Sequence, residues 1–532
     1  MARVRVAVEG MTCERYEASV SAARREARAA AVEADFRHGR ASADFDGDPT
    51  ALAEAVGRAG YTPAETASGV AAASEGGYDL AIIGSGGAAF AAAIRAANLG
   101  GRVVVIERGT VGGTCVNVGC VPSKALLAGA DAFHTAASHP FAGLPTTAGR
   151  PDLAALVAQK DELVTRLRAT KYVEVAAAYG FEILHGEARF ADPDTLEVDG
   201  RTLSAGAYLI ATGAEPKAPD VAGLAEVGYL TSATAMELTE APARVVTIGG
   251  GFVGMEQSQL LARLGTQVTV VGRLAPRAEP ELAAWIALVF ADEGITVLPH
   301  RAVAVERDGA DTVVVTADGT RLAADAVLVA AGRSPRVAAL DLDAAGVKVD
   351  DRGFVVVDDE LRTANPRVFA AGDVAGAHQY VYVAAAQGAL AAENALTDAH
   401  RRMDYTGLPS VVFTDPVLAS AGMTEAEARV AGHDVASRVL ELKAVPRALA
   451  NRDTRGAIKL VADAATGKVL GVHAVAEGAG EVILAGVYAV KFGLTVDDLA
   501  STWAPYLTMS EGLKLVAQSF TGDVKKLSCC AP

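Results

Sequence analysis

The sequence predicts an α/β fold in which two Rossmann-like nucleotide-binding domains are preceded by a small ferredoxin-like βαββαβ domain and followed by an α+β domain. Two glycine-rich turns carry the central part of this prediction, because each follows a short apolar strand and opens a helix. From residue 408 onward, strands are followed by helices, a pattern typical of an α+β domain. The key positions of the two turns are Gly84, Gly86 and Ala89, and then Gly249, Gly251 and Gly254.

Composition narrows the classes of function. The 532 residues, of which 51% are hydrophobic, are enough for several domains with their own cores. A net charge of −16 argues against nucleic acid or an anionic membrane as a partner, since both require clustered Lys and Arg. No stretch offers the roughly 18 uninterrupted apolar residues of a membrane span, and the first residues lack the apolar core of a signal peptide. We therefore expect a cytoplasmic protein with no membrane partner.

Residues 1–67 are predicted to form the small first domain, with strands at 3–8, 31–36 and 40–45, helices at 16–29 and 49–59, and a last short strand after Tyr61. This order and the loop ending in Cys13 resemble the heavy-metal-associated domains, whose motif has a second cysteine where Tyr16 stands here. One thiolate cannot hold a soft metal ion without an outside ligand. The sequence therefore leaves two interpretations open. The domain carries a metal ion with the help of an outside ligand, or it is a degenerate domain that no longer carries one. Residues 68–77, rich in Gly, Ala and Ser, read as a linker.

The first glycine turn predicts a dinucleotide site in a domain formed by residues 78–225 and 341–407. The turn follows a strand at 78–83 and opens a helix that runs to residue 99. Its glycines let the backbone approach a pyrophosphate at the helix N-terminus. Glu107 follows the next strand, 102–106, where an acid can bond a ribose hydroxyl. A second strand, 201–211, ends in the turn Ala211, Thr212 and Gly213. With the cysteine motif that follows, we expect this site to bind FAD.

The second glycine turn predicts another dinucleotide site in residues 226–340, between strands at 241–248 and 267–271. The offset that separates Gly84 from Glu107 leads here to Gly272, with Arg273 beside it. A missing acid and an adjacent arginine favour a 2′-phosphate, and hence NADPH over NADH. A solvent-facing arginine is the rival interpretation. Gly332 and Arg333 complete the expected NADPH contacts.

Cys115 and Cys120 lie just before a helix predicted over 122–130. Pro122 suits the first turn of a helix, where its missing N–H has no cost. A helix N-terminus also lowers the pKa of a nearby thiol, so either sulfur can be a thiolate near neutral pH. The pattern favours a redox disulfide, and the surrounding residues argue against an ordinary buried pair or a metal clip.

The stretch GGTCVNVGCVPSK, residues 112–124, resembles the active-site signature of the flavoprotein disulfide reductases. The resemblance implies that Cys120 faces the flavin, that Cys115 exchanges with the substrate, and that Lys124 pairs with Glu256 near the flavin. A lysine there can stabilise the reduced ring.

The same resemblance assigns further FAD contacts to Gly113, Thr114, Lys124 and Asp373, the last of these to the ribitol. It also implies that residues 408–525 form the interface domain of a two-fold homodimer, in which each chain completes the active site of its partner.

Two places decide the substrate. Members of the family that act on thiol substrates carry a histidine, the acid and base for dithiol exchange, where this chain has Tyr506. A phenol with a reference pKa near 10 is a poor proton shuttle at neutral pH. The tail 526–532 ends in Cys529 and Cys530, which can collect a soft cation and pass it to a second thiol pair. A frayed tail with no role is the rival interpretation.

Together with the first domain, these features resemble the mercuric reductases of the family. The resemblance implies reduction of Hg(II) by NADPH through FAD, with Cys115, Cys120, Cys529 and Cys530 as metal ligands. Tyr172 would be the second active-site tyrosine, although a core aromatic is a fair rival. The alternatives are a reductase for an organic disulfide, similar to dihydrolipoamide dehydrogenase, and a non-catalytic soft-metal-binding protein.

Overall fold

The computed structural model describes residues 77–309 and 311–522, together with the backbone of four strands between residues 2 and 63. The predicted helices at 16–29 and 49–59, Cys13, and the pair Cys529 and Cys530 lie outside the described residues. Among the described residues, no helix is both long enough and apolar enough to cross a bilayer.

The strands, in chain order, are β1 Ala2–Glu9, β2 Ala30–Asp35, β3 Arg40–Phe45, β4 Thr62–Pro63, β5 Tyr78–Ile83, β6 Val103–Glu107, β7 Glu182–His185, β8 Ala188–Asp192, β9 Thr195–Val198, β10 Arg201–Ile210, β11 Ala214–Pro216, β12 Arg244–Ile248, β13 Gln267–Val271, β14 Thr296–Leu298, β15 Ala302–Asp308, β16 Asp311–Thr316, β17 Arg321–Ala324, β18 Ala326–Val329, β19 Arg333–Pro335, β20 Val368–Ala370, β21 Pro409–Val412, β22 Val417–Gly422, β23 Val435–Glu441, β24 Ala457–Asp463 and β25 Val469–Ala476.

The described helices are α1 Gly87–Asn98, α2 Gly113–Val118, α3 Cys120–Ala137, α4 Leu153–Arg168, α5 Glu174–Tyr179, α6 Leu224–Val227, α7 Ser232–Ala235, α8 Phe252–Arg263, α9 Pro280–Asp292, α10 Val381–Leu396, α11 Glu425–Val430, α12 Pro446–Asn451, α13 Ala479–Lys491, α14 Val496–Ser501 and α15 Glu511–Gln518. A π-helical turn, Ala169–Val173, joins α4 to α5, and 3₁₀ turns occupy Asp373–Ala375 and Leu442–Ala444.

The four N-terminal strands form an antiparallel sheet in the order β2-β3-β1-β4. This is the strand order of a ferredoxin-like βαββαβ domain read from its second strand. The predicted strands fall within one residue of the observed ones, and the helices that a βαββαβ domain requires lie outside the described residues.

The chain divides into two compact units, and the first contains residues 1–113, 170–213 and 335–403. Its main sheet has the order β7-β6-β5-β10-β9-β8, and β20 also pairs with β10. β5, β6, β7, β10 and β20 run parallel. Leu80 and Ile82 of β5 belong to one buried cluster, and Ala81 and Ile83 to another, so both faces of the strand are covered. A parallel strand buried on two sides reads as a continuous apolar run, which is why this element was predictable.

The second unit contains residues 114–169, 214–334 and 404–532. It holds a parallel sheet, β14-β13-β12-β18, and two antiparallel sheets, β15-β16-β17 and β21-β22-β25-β24-β23. Helix α3 packs on α8 through a buried apolar cluster that includes Leu126, Ala130, Leu260 and Leu264. The second glycine turn opens α8, so this packing connects the cysteine-bearing helix to the nucleotide-binding fingerprint.

Several predicted elements match the structure, and others needed correction. Strands β5 and β13 have the predicted bounds. The helix predicted over 122–130 begins earlier, at Cys120, and ends later, at Ala137. Pro122 occupies its third position, which is allowed because the N–H groups of the first turn have no partner within the helix.

Candidate active site and nucleotide sites

The first glycine turn lies in the first unit and depends on close backbone contacts. Gly84 has φ +105°, and a Cβ there would overlap the carbonyl oxygen of Ala211. Gly113 has φ +65°, and a Cβ there would overlap the backbone of Gly86. The structure therefore brings together four of the predicted FAD residues, Gly84, Gly86, Gly113 and Ala211.

Glu107 ends β6, at the edge of the sheet where the glycine turn begins. Its carboxylate accepts hydrogen bonds from Ser85 Oγ at 2.5 Å and from the Gly109 N–H at 2.7 Å. Ser85 Oγ in turn accepts the N–H of Gly112 at 3.1 Å. These bonds fix the orientation of the acid. Sequence analysis missed Ser85, because a serine inside a glycine turn has no distinctive spacing.

The residues of this site fit FAD. Helix α1 begins after Gly86 with no side chain capping its first N–H groups, which leaves them available to a pyrophosphate. Thr212 Oγ1 is buried and has no hydrogen-bond partner among the described residues, so a ligand atom there would satisfy it. Asp373 opens a 3₁₀ turn after Gly372, whose N–H donates to Gln387 Oε1 at 2.8 Å.

The second glycine turn, in the second unit, repeats this construction. Gly249 has φ +114°, and a Cβ there would overlap the Ala330 carbonyl oxygen. A Cβ at Gly254 would overlap the carbonyl oxygen of Gly249. A Cβ at Gly251, by contrast, would have no atom within 4 Å. Gly251 precedes α8, whose first N–H groups also have no side-chain cap, so the turn fits a second pyrophosphate.

Gly272 and Arg273 follow β13, the strand that corresponds to β6. Gly272 has φ +137°, and a Cβ there would lie 3.2 Å from the N atom of Gly250. Arg273 and Arg277 are both exposed, and neither forms an ion pair with another described residue. Two free guanidinium groups and no acid fit the 2′-phosphate of NADPH. Arg277 escaped sequence analysis because it falls outside the fingerprint.

The structure places the last two predicted NADPH contacts at the end of β18. Gly332 has φ +123°, and its carbonyl oxygen accepts the N–H of Lys217 at 3.0 Å. The Arg333 guanidinium donates to the carbonyl oxygen of Ala214. Arg333 therefore holds β11, and its contact with NADPH stays a prediction.

The two cysteines lie on consecutive short segments of the second unit. Cys115 is in α2 and is half-buried, whereas Cys120 is the first residue of α3 and is exposed. The Cys115 thiol donates a hydrogen bond to the Cys120 sulfur, and this bond and the charge of Lys124 together lower the pKa of Cys120 to about 7 against the opposing effect of burial. The same bond and burial raise the pKa of Cys115. Cys120 is therefore the sulfur of the pair that ionises more readily.

Lys124 lies one turn after Cys120 on α3, on the same face of the helix. Its Nζ pairs with Glu256 Oε2 of α8 at 2.8 Å. The side chain of Glu256 is 9% exposed and that of Lys124 is 32% exposed. The carboxylate is buried and the ammonium group is partly exposed, so the pair keeps Lys124 near Glu256 without restricting it to one rotamer. The expected Lys124–Glu256 pair is present.

A second ion pair joins the same two helices two turns further on. Arg263 at the end of α8 bonds Asp131 Oδ1 of α3 at 2.5 Å, Glu293 Oε1 at 2.6 Å and Asp415 Oδ2 at 3.0 Å. Burial disfavours the charge of Arg263, but Glu293 and the two aspartates outweigh it and raise its pKa. Helices α3 and α8 are thus held at both ends of their contact.

The two predicted active-site tyrosines occupy different environments. Tyr172 lies in the π-helical turn of the first unit, half-buried, with its ring 4.7 Å from that of Phe90 at an angle of 70°. Tyr506 lies in the second unit in the segment before α15 and is 55% exposed. A π-turn is uncommon and frequently marks a functional site.

An apolar stripe is exposed along α13. Leu484, Tyr488 and Phe492 follow each other at intervals of four residues, and Trp503 in the following segment is 97% exposed. Large apolar side chains in a continuous stripe mark an interaction surface.

Comparisons with known proteins agree with this geometry. Residues 78–388 match the profile of the pyridine nucleotide-disulphide oxidoreductases, and residues 408–517 match the dimerisation domain of that group. A mercuric reductase from Streptomyces lividans is 55% identical over 86% of this chain and 98% of its own length. Another from Lysinibacillus sphaericus is 45% identical over the full length of both chains. Among solved structures, a Cu(II) complex of an HOCl-induced flavoprotein disulfide reductase from Escherichia coli aligns with a TM-score of 0.75, at 30% identity, over 84% of this chain and 100% of that one.

Proposed function

We propose that this chain, which belongs to the pyridine nucleotide-disulphide oxidoreductase family, reduces Hg(II) to Hg(0) with NADPH through FAD and the Cys115–Cys120 pair. The single observation that carries the proposal is the geometry of this pair. The two sulfurs are within hydrogen-bonding distance of each other beside Lys124, which Glu256 holds, and a nearby cation favours the thiolate that a redox-active cysteine needs. We place the reaction in the cytoplasm, where thiols stay reduced.

When bound, NADPH and FAD supply the two electrons that break the Cys115–Cys120 disulfide. Gly84, Gly86 and Gly113, with Ala89, Thr114, Ala211, Thr212, Gly213, Glu107, Lys124 and Asp373, would hold FAD. Gly249, Gly251, Gly254, Gly272, Arg273, Gly332 and Arg333 would hold NADPH. Lys124, fixed by Glu256, balances the negative charge that the reduced pair leaves on Cys120.

The metal is handled by sulfur alone. Cys529 and Cys530 bind Hg(II) as two thiolates, and each is then replaced by a sulfur of the Cys115–Cys120 pair, so that one Hg–S bond forms as another breaks and the Cys115 proton passes to a released tail thiolate. Two further electrons convert the bound Hg(II) to Hg(0), which leaves both sulfurs as thiolates. Tyr506 and Tyr172 shape the site, and Tyr506 replaces the histidine that a thiol substrate would need as acid and base.

The protein acts as a homodimer, and we propose that each active site is shared. The exposed stripe of Leu484, Tyr488 and Phe492 supports an interface on α13. Tyr506 and the tail cysteines belong to the same domain, and they would serve the site of the partner subunit.

The overall reaction is tested by following NADPH oxidation by the purified holoenzyme with Hg(II) and excess small thiol. We expect oxidation that depends on Hg(II), with release of elemental mercury. Turnover with lipoamide or glutathione disulfide in place of Hg(II) would instead identify a disulfide reductase. No oxidation with any of them would identify a binding protein.

The cysteine assignment is tested by alkylating the reduced enzyme at different pH values and locating the label within peptide 109–124 by mass spectrometry. Because only the thiolate reacts, labelling of Cys120 should rise about tenfold between pH 6 and pH 8, with a midpoint at about 7. A midpoint near the ordinary thiol value, or preferential labelling of Cys115, would reverse the assignment.

Sharing of the site between subunits is tested with mixed dimers. One parent lacks Cys529 and Cys530, and the other lacks Cys115 and Cys120. If the tail acts on the partner, the heterodimer contains one intact site and part of the activity returns. If the tail acts on its own chain, mixing restores nothing.

A further inference from the structure

Phe413 touches both members of the Lys124–Glu256 pair by different means. It lies between β21 and β22, and its side chain is 43% exposed. Its backbone N–H donates to Glu256 Oε1 at 3.0 Å, while Lys124 bonds the other oxygen, Oε2, at 2.8 Å. Lys124 Nζ also lies 4.3 Å from the centre of the Phe413 ring.

The ring contact restricts where the ammonium group can go. Lys124 has a long, flexible side chain, and one ion pair can be satisfied by several of its rotamers. A cation over an aromatic face is attracted to the ring. The carboxylate and the ring together therefore restrict the position of Nζ on the face of α3 that also carries Cys120.

The backbone of Phe413 is held independently of its ring. Two residues later, the Asp415 N–H donates to Gln259 Oε1 at 2.8 Å, and the Asp415 carbonyl oxygen accepts from Gln259 Nε2 at 2.9 Å. The Asp415 carboxylate also pairs with Arg263. Replacing the ring should therefore leave the main chain in place.

We propose that Phe413 is a positioning residue of the redox centre, whose ring holds the Lys124 ammonium group beside Cys120 while its backbone N–H holds Glu256. The inference rests on the proposed redox role of the cysteine pair. A fixed positive charge stabilises the reduced pair more than a mobile one does, because reduction adds two electrons to sulfurs that are neutral in the disulfide.

The test measures the equilibrium between the holoenzyme and glutathione redox buffers without oxygen. In this exchange the Cys115–Cys120 disulfide bond breaks, a disulfide bond forms between two glutathione molecules, and two electrons move to the protein sulfurs. After alkylation and trypsin digestion, the reduced fraction is read from peptide 109–124, or from peptide 109–160 where Lys124 is replaced, and neither contains another cysteine. The variants are Phe413→Leu, which removes the ring, and Phe413→Tyr, which keeps it.

We expect Phe413→Leu to lower the equilibrium constant for reduction of the pair about fivefold, and Phe413→Tyr to stay within about twofold of the parent. In a Lys124→Met background, Phe413→Leu should have no further effect, because the ring then has no cation to hold. Flavin absorbance and thermal unfolding check the fold, and Phe413→Met replaces the leucine variant if that protein is unstable.

A leucine variant that behaves like the tyrosine variant would overturn the inference. So would an equal shift in the Lys124→Met background, since Phe413 would then act without Lys124. A parent protein whose pair does not exchange with glutathione and is not reduced by NADPH would instead refute the redox role itself. The two failures are thus distinguishable.

Discussion

The two glycine turns have the same backbone construction but differ in the residues at the end of the strand that follows each turn. Both begin with a glycine at positive φ whose missing Cβ allows a carbonyl oxygen to approach, Ala211 in one case and Ala330 in the other. The acid Glu107 follows the first turn's partner strand and is fixed by Ser85, whereas Gly272 and the exposed Arg273 follow the second. The common part is steric and fits any dinucleotide, while the differing part is electrostatic, and we propose that it selects which dinucleotide binds.

The largest effects are expected from substitutions that disrupt the close backbone contacts of each turn separately. Gly84→Ala and Gly249→Ala each place a Cβ against a carbonyl oxygen at a φ that L-residues avoid. We expect Gly84→Ala to purify without flavin, and Gly249→Ala to keep its flavin but to raise KM for NADPH at least about 100-fold. Flavin absorbance and steady-state kinetics measure the two outcomes.

Gly251→Ala is the matched control, because its Cβ would have no atom within 4 Å and its φ of −79° suits alanine. It should fold and bind flavin like the parent. Loss of flavin from Gly249→Ala, or normal flavin in Gly84→Ala, would mean that the turns have been assigned to the wrong nucleotides.

The second effect concerns the electrostatic part. Arg273→Asp replaces the charge that we propose binds the 2′-phosphate with a repelling one, and the ratio of kcat/KM for NADPH over NADH should fall about 100-fold. Arg447→Asp, which makes the same charge change at another exposed arginine, is the control. An unchanged ratio in Arg273→Asp would refute the assignment, and a smaller fall that deepens when Arg277 is also removed would divide the role between the two arginines.

A smaller effect is expected from replacing Glu107, which occupies in the first nucleotide site the position that Gly272 occupies in the second. Glu107→Gln keeps the shape but loses the charge that strengthens a hydrogen bond to a ribose hydroxyl, so FAD should bind about tenfold more weakly. Flavin release during dialysis, compared with Glu187→Gln at an exposed acid, provides the measurement. Equal retention by both variants would assign Glu107 only to holding Ser85.

The smallest effect lies outside both turns. Because Cys13 has no partner thiol at Tyr16, removing residues 1–70 should change the rate of Hg(II) reduction in vitro less than about twofold. A tenfold fall would show that a ligand from elsewhere completes a site with Cys13. Cys13→Ala in the full chain separates loss of the thiol from loss of the domain.

Sequence alone predicted the parts of the molecule that rest on periodicity and fixed spacing. Strand β5 reads as an apolar run because both of its faces are buried, and Glu107 follows the first turn at a set distance. The pairing of Lys124 with Glu256 came from family resemblance, since no local pattern connects residues so far apart in the chain.

Other long-range contacts could not be predicted from the sequence for the same reason. Arg263 meets Asp131 and Asp415, and Phe413 meets Lys124, only because the fold brings distant segments together. The π-turn at Tyr172 was equally hidden, because it is a change in helix register with no residue that signals it.

The short segment 413–415 has a practical consequence for recombining relatives of this protein. The match to the dimerisation domain begins at residue 408, which makes that point a natural crossover for a chimera. Yet residues 413 and 415 bind Glu256 and Arg263 of α8 and, through the Phe413 ring, Lys124 of α3. A hybrid joined at 408 would set one parent's segment against the other parent's helices, so a crossover beyond residue 416 should preserve function more often.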